Sequence, residues 1–177
     1  MSFDIEQYRL YMRTLANRSK SIRHTEANPR FWELAFDQII QGTGINNLPP
    51  TEEYFMVLEQ GESALGGQDP DFPTRVKRCA FYVLAGIDNQ DFEGIGKLYA
   101  ESESIAITVL SKMYQEAEDS ENGEDVIKEA EGIQTFNSNS VEIMYVGPLL
   151  TKHYGVRVLF DFDDEINLLN ENEEEWL

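Results

Sequence analysis

The sequence predicts an α+β domain: a four-stranded, mostly antiparallel sheet with one long helix packed on a face and two N-terminal helices, in the order ααββαββ. Three observations predict it. Between Ser140 and Asp163, two segments alternate apolar and polar residues with the period of strands that bury one face: Val141, Ile143 and Tyr145 against Glu142 and Met144, then Val156, Val158, Phe160 and Phe162 against Arg157, Leu159 and Asp161. Between Asp91 and Glu118, Ile95, Leu98, Tyr99, Ser102, Ile105, Ala106, Val109, Leu110 and Met113 keep helical spacing for five turns. Between these, no linker is long enough to divide the chain, so residues 1–164 read as one domain and 165–177 as an acidic C-terminal tail.

Taken in order, the first helix starts at Asp4, a good N-cap with Gln7 three residues on, and places Ile5, Tyr8, Met12 and Leu15 on one face before the polar run Asn17–Ser21. The second is expected from Asn28 as cap and Pro29 at the first helical position to Gly42, with Trp32, Ala35, Phe36, Ile39 and Ile40 as its buried stripe. The segment 42–50, GTGINNLPP, is a loop. Residues 53–59, apolar on both faces, predict a central strand. Residues 61–73, with three Gly and two Pro, predict a long hairpin tip. The second strand, Thr74 to Ala85, is expected to carry Arg75, Lys77 and Arg78 past the sheet edge. After the long helix, residues 119–131 are acidic and predict a loop with at most a helical turn.

Composition excludes several functions. With 177 residues and 41% hydrophobic content, the chain can bury a core. No apolar run approaches the roughly 20 residues that span a bilayer. The N-terminus carries Asp4 and Glu6 where a secretion signal would be basic, and the one cysteine, Cys79, allows no internal disulfide. A protein made and kept in a reducing cytoplasm is expected. The net charge of −19 disfavours nonspecific nucleic-acid binding and adhesion to anionic membranes. The charge is also unevenly placed. Six of the fourteen basic residues, Arg9, Arg13, Arg18, Lys20, Arg23 and Arg30, lie in the first thirty positions, whereas from Met113 only Lys128, Lys152 and Arg157 oppose seventeen acids. A basic first third and an acidic last third suit contact between neighbouring subunits, though solvated faces that keep the chain soluble account for them equally.

Motifs for chemistry are thin. His24 and His153 stand in separate polar loops and read as surface or capping residues. His24-Thr25-Glu26 matches the start of a deaminase zinc motif, but the paired cysteines are missing. Gly94-Ile-Gly-Lys97 lacks the spacing of a phosphate loop and reads as small residues where a helix crosses another element. Asp161, Asp163, Asp164 and Glu165 offer hard oxygen ligands for Mg²⁺ or Ca²⁺ without the glycines and spacing of an EF-hand, so a solvated strand face is expected. Cys79, between apolar neighbours, reads as a buried, inert thiol. Neither a catalytic set nor a cofactor or metal site is predicted, and the chain is expected not to be an enzyme.

The segments Arg23-His-Thr-Glu-Ala-Asn28 with Phe31, Asp91-Phe-Glu93, and His153-Tyr-Gly-Val-Arg157 before an alternating strand and a late Trp, in this order, resemble a family of small proteins encoded in phages and prophage-like elements of Bacteroidetes. The element order is similar to that of tail-terminator and tail-completion proteins of long-tailed phages. That resemblance implies a small α+β fold, assembly of copies of the chain into a hexameric or other ring, neighbouring tail-tube or connector proteins as partners, a place in the tail or neck of a virion, and DNA only as passing cargo that a negative lumen repels. The expected subunit-contact residues are Arg9, Arg13, Arg75, Lys77 and Arg78 on the basic side and Leu168, Leu169 and Trp176 in the tail, with loops 61–73 and 119–131 reaching a neighbouring ring. Competing readings are an acidic DNA-mimic inhibitor of a host DNA-binding protein, which the basic first third disfavours, an accessory non-enzymatic phage protein, and an enzyme using the carboxylates 161–165.

Overall fold

A computed structural model describes residues 5–41, 53–66, 74–87, 91–121, 133–150 and 152–165. Its elements are α1 (Ile5–Arg18), β1 (Phe31–Leu34), α2 (Phe36–Gln41), β2 (Phe55–Gly66), β3 (Thr74–Gly86), α3 (Phe92–Glu121), a 3-10 turn (Ile133–Thr135), β4 (Phe136–Leu149) and β5 (His153–Glu165). The strands form a mixed five-stranded sheet in the order β1-β2-β3-β5-β4. The α+β class and the four antiparallel strands of the sequence reading are present; a fifth strand, β1, joins β2 in parallel, with Phe31 opposite Met56 and Leu34 opposite Glu59.

That fifth strand corrects the expected helix from Asn28 to Gly42. Phe31-Trp-Glu-Leu34 alternates across the sheet: Phe31 joins the core under the helices, and Trp32 and Leu34 join the opposite face. A helix here would give up the ladder to β2, including the bond from the Met56 amide to the Arg30 carbonyl at 2.9 Å. The helix begins only after Ala35, whose amide donates to Gln38 Oε1 at 2.9 Å, the return arm of a capping box. Asn28 instead closes a tight turn on Thr25, donating its amide to Thr25 Oγ1 at 3.0 Å. Phe36 and Ile40, expected in a buried stripe, are exposed.

One sheet face is covered by α1 and α3 over most of its extent. Met56, Leu58, Cys79, Phe81, Val83, Val156, Val158, Phe160 and Phe162 pack against Tyr8, Tyr11, Met12, Leu15 and Ala16 of α1 and Ala106, Val109 and Met113 of α3. The ladder explains why: Cys79, Phe81 and Val83 lie directly opposite Phe160, Val158 and Val156, so the period of two puts all of them on one side. Val156, Val158 and Phe160 of β5 share this cluster with Val109 of α3, and Ile105 packs against it. Burial of such side chains is worth about 1.5–3 kcal/mol each.

The opposite face is covered over only part of its length. Phe55, Val57, Tyr82 and Leu84 pack with Leu34, Ile39 and Leu150. Further along the same face stand Glu59, Arg157, Leu159 and Arg78, in a shallow cavity of about 210 Å³ shared with Phe36, and Asp161 pairs with Arg78 beside it. The expectation that Arg75, Lys77 and Arg78 run past the sheet edge fails here: β3 is the central strand and is paired on both sides, Arg75 with Leu65 and Asp164, Lys77 with Ser63 and Phe162. The predicted hairpin tip also starts later, because residues 61–66 continue β2.

The long helix extends three residues beyond its expected end, to Glu121. Asp91 begins it, its Oδ1 accepting from the Gly94 amide at 2.9 Å. Gly94 has a steric reason, since a Cβ there would meet Asp91 and Ile87 at 2.3–2.5 Å, whereas Gly96 faces open space. On β4, Tyr145 departs from the expected buried face. It is 60% exposed, with its hydroxyl donating to Glu103 at 2.6 Å. No helix among the described residues is long and apolar enough to cross a membrane.

Candidate functional site

Among the described residues, a two-lobed concave surface lies between the end of α1, the loop that follows it, and α3. It has two lobes that share Lys20, Ser21 and Ile105. The first, about 340 Å³, is floored by Leu15, Ile105 and Val109 and rimmed by Arg18, Lys20 and Lys112. The second, about 460 Å³, is more polar and takes in Arg23, Arg30, Glu53, Tyr54 and Glu101.

Local chain geometry builds this rim. Beyond α1 the Ser19 amide still donates to the Leu15 carbonyl at 2.9 Å, the Arg23 amide to the Ser19 carbonyl at 2.8 Å and the His24 amide to the Ala16 carbonyl at 3.2 Å, so the loop stays wound onto the helix end. Arg23 closes it in the left-handed region at φ 54°, an unusual place for a side chain with a Cβ. Its Nε donates to the Lys20 carbonyl at 2.5 Å, which ties the guanidinium back over the rim. The α1 macrodipole also places partial negative charge at this end, where Arg18 and Lys20 are favourable.

Charge pairing in the groove is uneven. Arg30 is buried and bonded to Glu53 at 2.6 Å, and Lys112 reaches Glu116 at 3.2 Å. Among the described residues, no carboxylate lies within ion-pair distance of Arg18, Lys20 or Arg23. In a chain of net charge −19, these cations give the rim a local positive charge beside the Glu53 and Glu101 carboxylates of the polar lobe.

The expected contact residues are dispersed rather than gathered. Arg9 is exposed on α1 but held by Glu6 at 2.7 Å and by Glu33. Arg13 is exposed one turn further and near enough to His24 to act on its charge. Arg78 projects from β3 toward Asp161 at 3.4 Å on the other sheet face. Lys77 is half-buried on β3, and Arg75 lies on the same strand. Leu168, Leu169 and Trp176, and the loop residues 67–73 and 122–131, lie outside the described residues. Sequence reasoning passed over Arg18, Lys20, Arg23 and Lys112 as individual residues, although the first three belong to the basic first third that it noted.

The residues weighed for chemistry are occupied structurally. Both histidines are buried, contrary to the expected surface loops. His24 Nδ1 accepts from the Arg30 amide at 3.1 Å, a capping role, and His153 Nδ1 sits 3.0 Å from the Leu150 carbonyl. Burial holds both imidazoles below their usual pKa; at His24 the Arg13 charge adds to this. Cys79 is buried, and desolvation pushes its thiol up to about 12. Asp161 is engaged by Arg78, and Asp163 accepts from Asn137 Nδ2 at 2.7 Å. Among the described residues, no group of three or more His, Cys, Asp or Glu side chains is placed to hold a metal ion. Comparison with known proteins adds no name to this geometry: the chain matches no family model, no curated protein and no solved structure.

Proposed function

We propose that this chain is a structural, non-enzymatic virion protein of a tailed phage or phage-like particle, a tail terminator or head–tail connector component that works as an oligomeric ring. The observation that carries this reading is the outer edge of the sheet. β4 ends the strand order, runs fourteen residues from Phe136 to Leu149, and contains one charged residue, Glu142. Monomeric proteins usually shorten such an edge or guard it with Lys, Pro or a bulge, because its free amides and carbonyls template pairing with another chain. Here Pro148 and two breaks in register, between Asn137 and Glu142 and between Val146 and Leu149, lie toward the ends of the strand, and the regular stretch 142–146 between them carries the exposed Met144 and Tyr145. A strand supplied by a neighbouring copy would satisfy this edge by β-augmentation. Repeated head-to-tail with a rotation that closes, such a contact builds a ring.

Ring neighbours, tail-tube or connector proteins would then be the partners, with DNA passing through a lumen whose negative charge repels phosphate. The resemblance of the sequence supports the same reading. The test is mass photometry and negative-stain electron microscopy of the purified protein at micromolar concentration. Rings of uniform diameter are expected; a protein that stays monomeric, alone and with tail-tube or connector partners, sinks the proposal.

A further inference from the structure

The rim cations and the apolar floor of the groove between α1 and α3 call for a ligand that is both acidic and apolar. Residues 166–177 of this same chain, INLLNENEEEWL, have that chemistry: Glu171, Glu173, Glu174 and Glu175 are flanked by Leu168 and Leu169 on one side and Trp176 on the other. We propose that residues 166–177 of a second copy dock in this groove, their carboxylates meeting Arg18, Lys20 and Arg23 and their apolar side chains covering Leu15, Ile105 and Val109. The proposal rests on the assembly reading for bringing copies together, but on a different surface from the β4 edge.

Charge complementarity selects this occupant. The groove holds cations without carboxylate partners among the described residues, on a protein that is otherwise strongly acidic. Arg18, Lys20 and Arg23 are exposed, so pairing them does not require dismantling an existing ion pair, unlike Arg9 or Arg78. Leu15 and Val109 are largely buried already, and Ile105 and Thr108 between them offer apolar surface that Leu or Trp side chains would cover.

Reach selects a second copy over the chain's own tail. β5 ends at Glu165, in register with Thr74, at the end of the sheet where Tyr8 packs on Phe162. From there α1 runs away, because Lys20, just beyond its C-terminus, shares a lobe with Tyr54 at the start of β2. Phe55 pairs with Leu84 and Leu84 with Gly155, so the polar lobe lies ten residues back along β5, about 33 Å at roughly 3.3 Å per residue. The nearer, apolar lobe is about 20 Å away, counting three strand residues and the two turns of α1 from Tyr8 to Leu15. Leu168 and Leu169, three and four residues past Glu165, extend at most about 14 Å. In its own chain Leu168 and Leu169 fall short of the apolar lobe, which only Glu171 and later residues reach; from a neighbour Leu168 and Leu169 cover Leu15, Ile105 and Val109 while the carboxylates meet the rim.

The experiment uses full-length chains. One variant reverses the groove (Arg18→Glu, Lys20→Glu, Arg23→Glu) and another reverses the segment (Glu171→Lys, Glu173→Lys, Glu174→Lys, Glu175→Lys); circular dichroism checks that both fold. In sedimentation velocity, each variant alone is expected to self-associate at least about tenfold more weakly than the wild type, and their equimolar mixture, or a chain carrying both sets, to recover association. The wild-type interaction should weaken in about 1 M salt, where screening shortens the Debye length to about 3 Å. If groove reversal leaves association unchanged, docking is overturned while the assembly reading stands. If the wild type is monomeric, the assembly reading falls and docking by a second copy falls with it; a fluorescent peptide of residues 165–177 that then binds the segment-reversed chain, salt-sensitively and not after groove reversal, assigns the groove to the chain's own segment instead.

Discussion

Arg157 on β5 and Glu59 on β2 form a two-pronged ion pair across the central strand, Nη2 to Oε1 at 2.9 Å and Nε to Oε2 at 3.0 Å. Tyr82 of β3, directly opposite Arg157 in the ladder, donates its hydroxyl to the same Glu59 Oε2 at 2.7 Å. The guanidinium also lies 5.3 Å from the Phe36 ring centroid and 5.7 Å from that of Tyr82. Both charged side chains are more than four-fifths buried, at 19% and 13% exposure. The fork geometry, the aromatic faces and the phenol together satisfy a pair that would otherwise be costly to desolvate.

Removing one partner should therefore cost more than removing both. Arg157→Ala is expected to destabilise the fold by about 3 kcal/mol in urea unfolding, because Glu59 stays partly buried with only Tyr82 to bond it. Arg157→Met combined with Glu59→Leu should recover much of that loss. Equal losses for the single and double variants would mean that the pair is solvated in practice.

Gly155 tolerates no side chain. A Cβ there would stand 2.0 Å from the Val83 carbonyl oxygen on the adjacent strand, and a backbone atom in a central ladder cannot swing aside. Gly155→Ala should lose about 3 kcal/mol of stability or fail to fold, whereas Gly96→Ala, at an open helix position, should be neutral or stabilising by up to about 1 kcal/mol. Thermal melts of the two variants make the comparison.

Tyr11 and Glu116 couple α1 to α3 inside the core, the hydroxyl donating to Glu116 Oε2 at 2.7 Å. Burial, then this bond, pushes the Tyr11 phenol well above its ordinary range. Tyr11→Phe keeps the ring and removes the donor from a carboxylate that is 4% exposed. A loss of about 2 kcal/mol is expected, reduced in a Tyr11→Phe, Glu116→Gln double variant. Additive losses in the double-mutant cycle would show that the bond contributes nothing.

The buried histidines set an acid limit. Desolvation lowers both pKa values below the usual 6.5, so the folded state binds fewer protons there than the unfolded chain. Their contribution to stability is complete above 6.5 and is lost as pH falls through the folded values. The melting temperature should decline between about pH 6.5 and 5, before most carboxylates titrate, and His153→Gln should flatten that decline. An unchanged slope in the variant would remove His153 from the account.

Much of the fold was legible because its signals are local. Helix α3 follows from nine apolar or small residues at helical spacing, and Val156, Val158 and Phe160 declare a buried strand face by themselves. Phe31-Trp-Glu-Leu34 was not legible. Preceded by Asn28-Pro29 and followed by Gly42, it carries the boundary marks of a helix, and only the neighbouring edge of β2 makes a strand the better home for it. Tyr145 misleads for a related reason: its alternation is correct, but on that edge strand its ring rests on Tyr99, at a centroid distance of 5.0 Å, rather than in the core. The groove divides the same way. The excess of cations in the first third is written in the sequence, yet which of them are paired inside the molecule depends on where Glu33 and Glu53 arrive, and only the folded chain leaves Arg18, Lys20 and Arg23 without a carboxylate partner among the described residues.

Short stretches of sequence carry the α+β class, the long helix, the buried face of β5 and the segregation of charge, since each depends on local periodicity or composition. Tertiary structure alone decided the parallel β1, the central position of β3 with its basic residues inside the ladder, the burial of both histidines and the shape of the groove between α1 and α3. Those features depend on which segments meet across tens of residues. That is settled by the closing of the sheet and the packing of the whole core, not by the preference of any one segment.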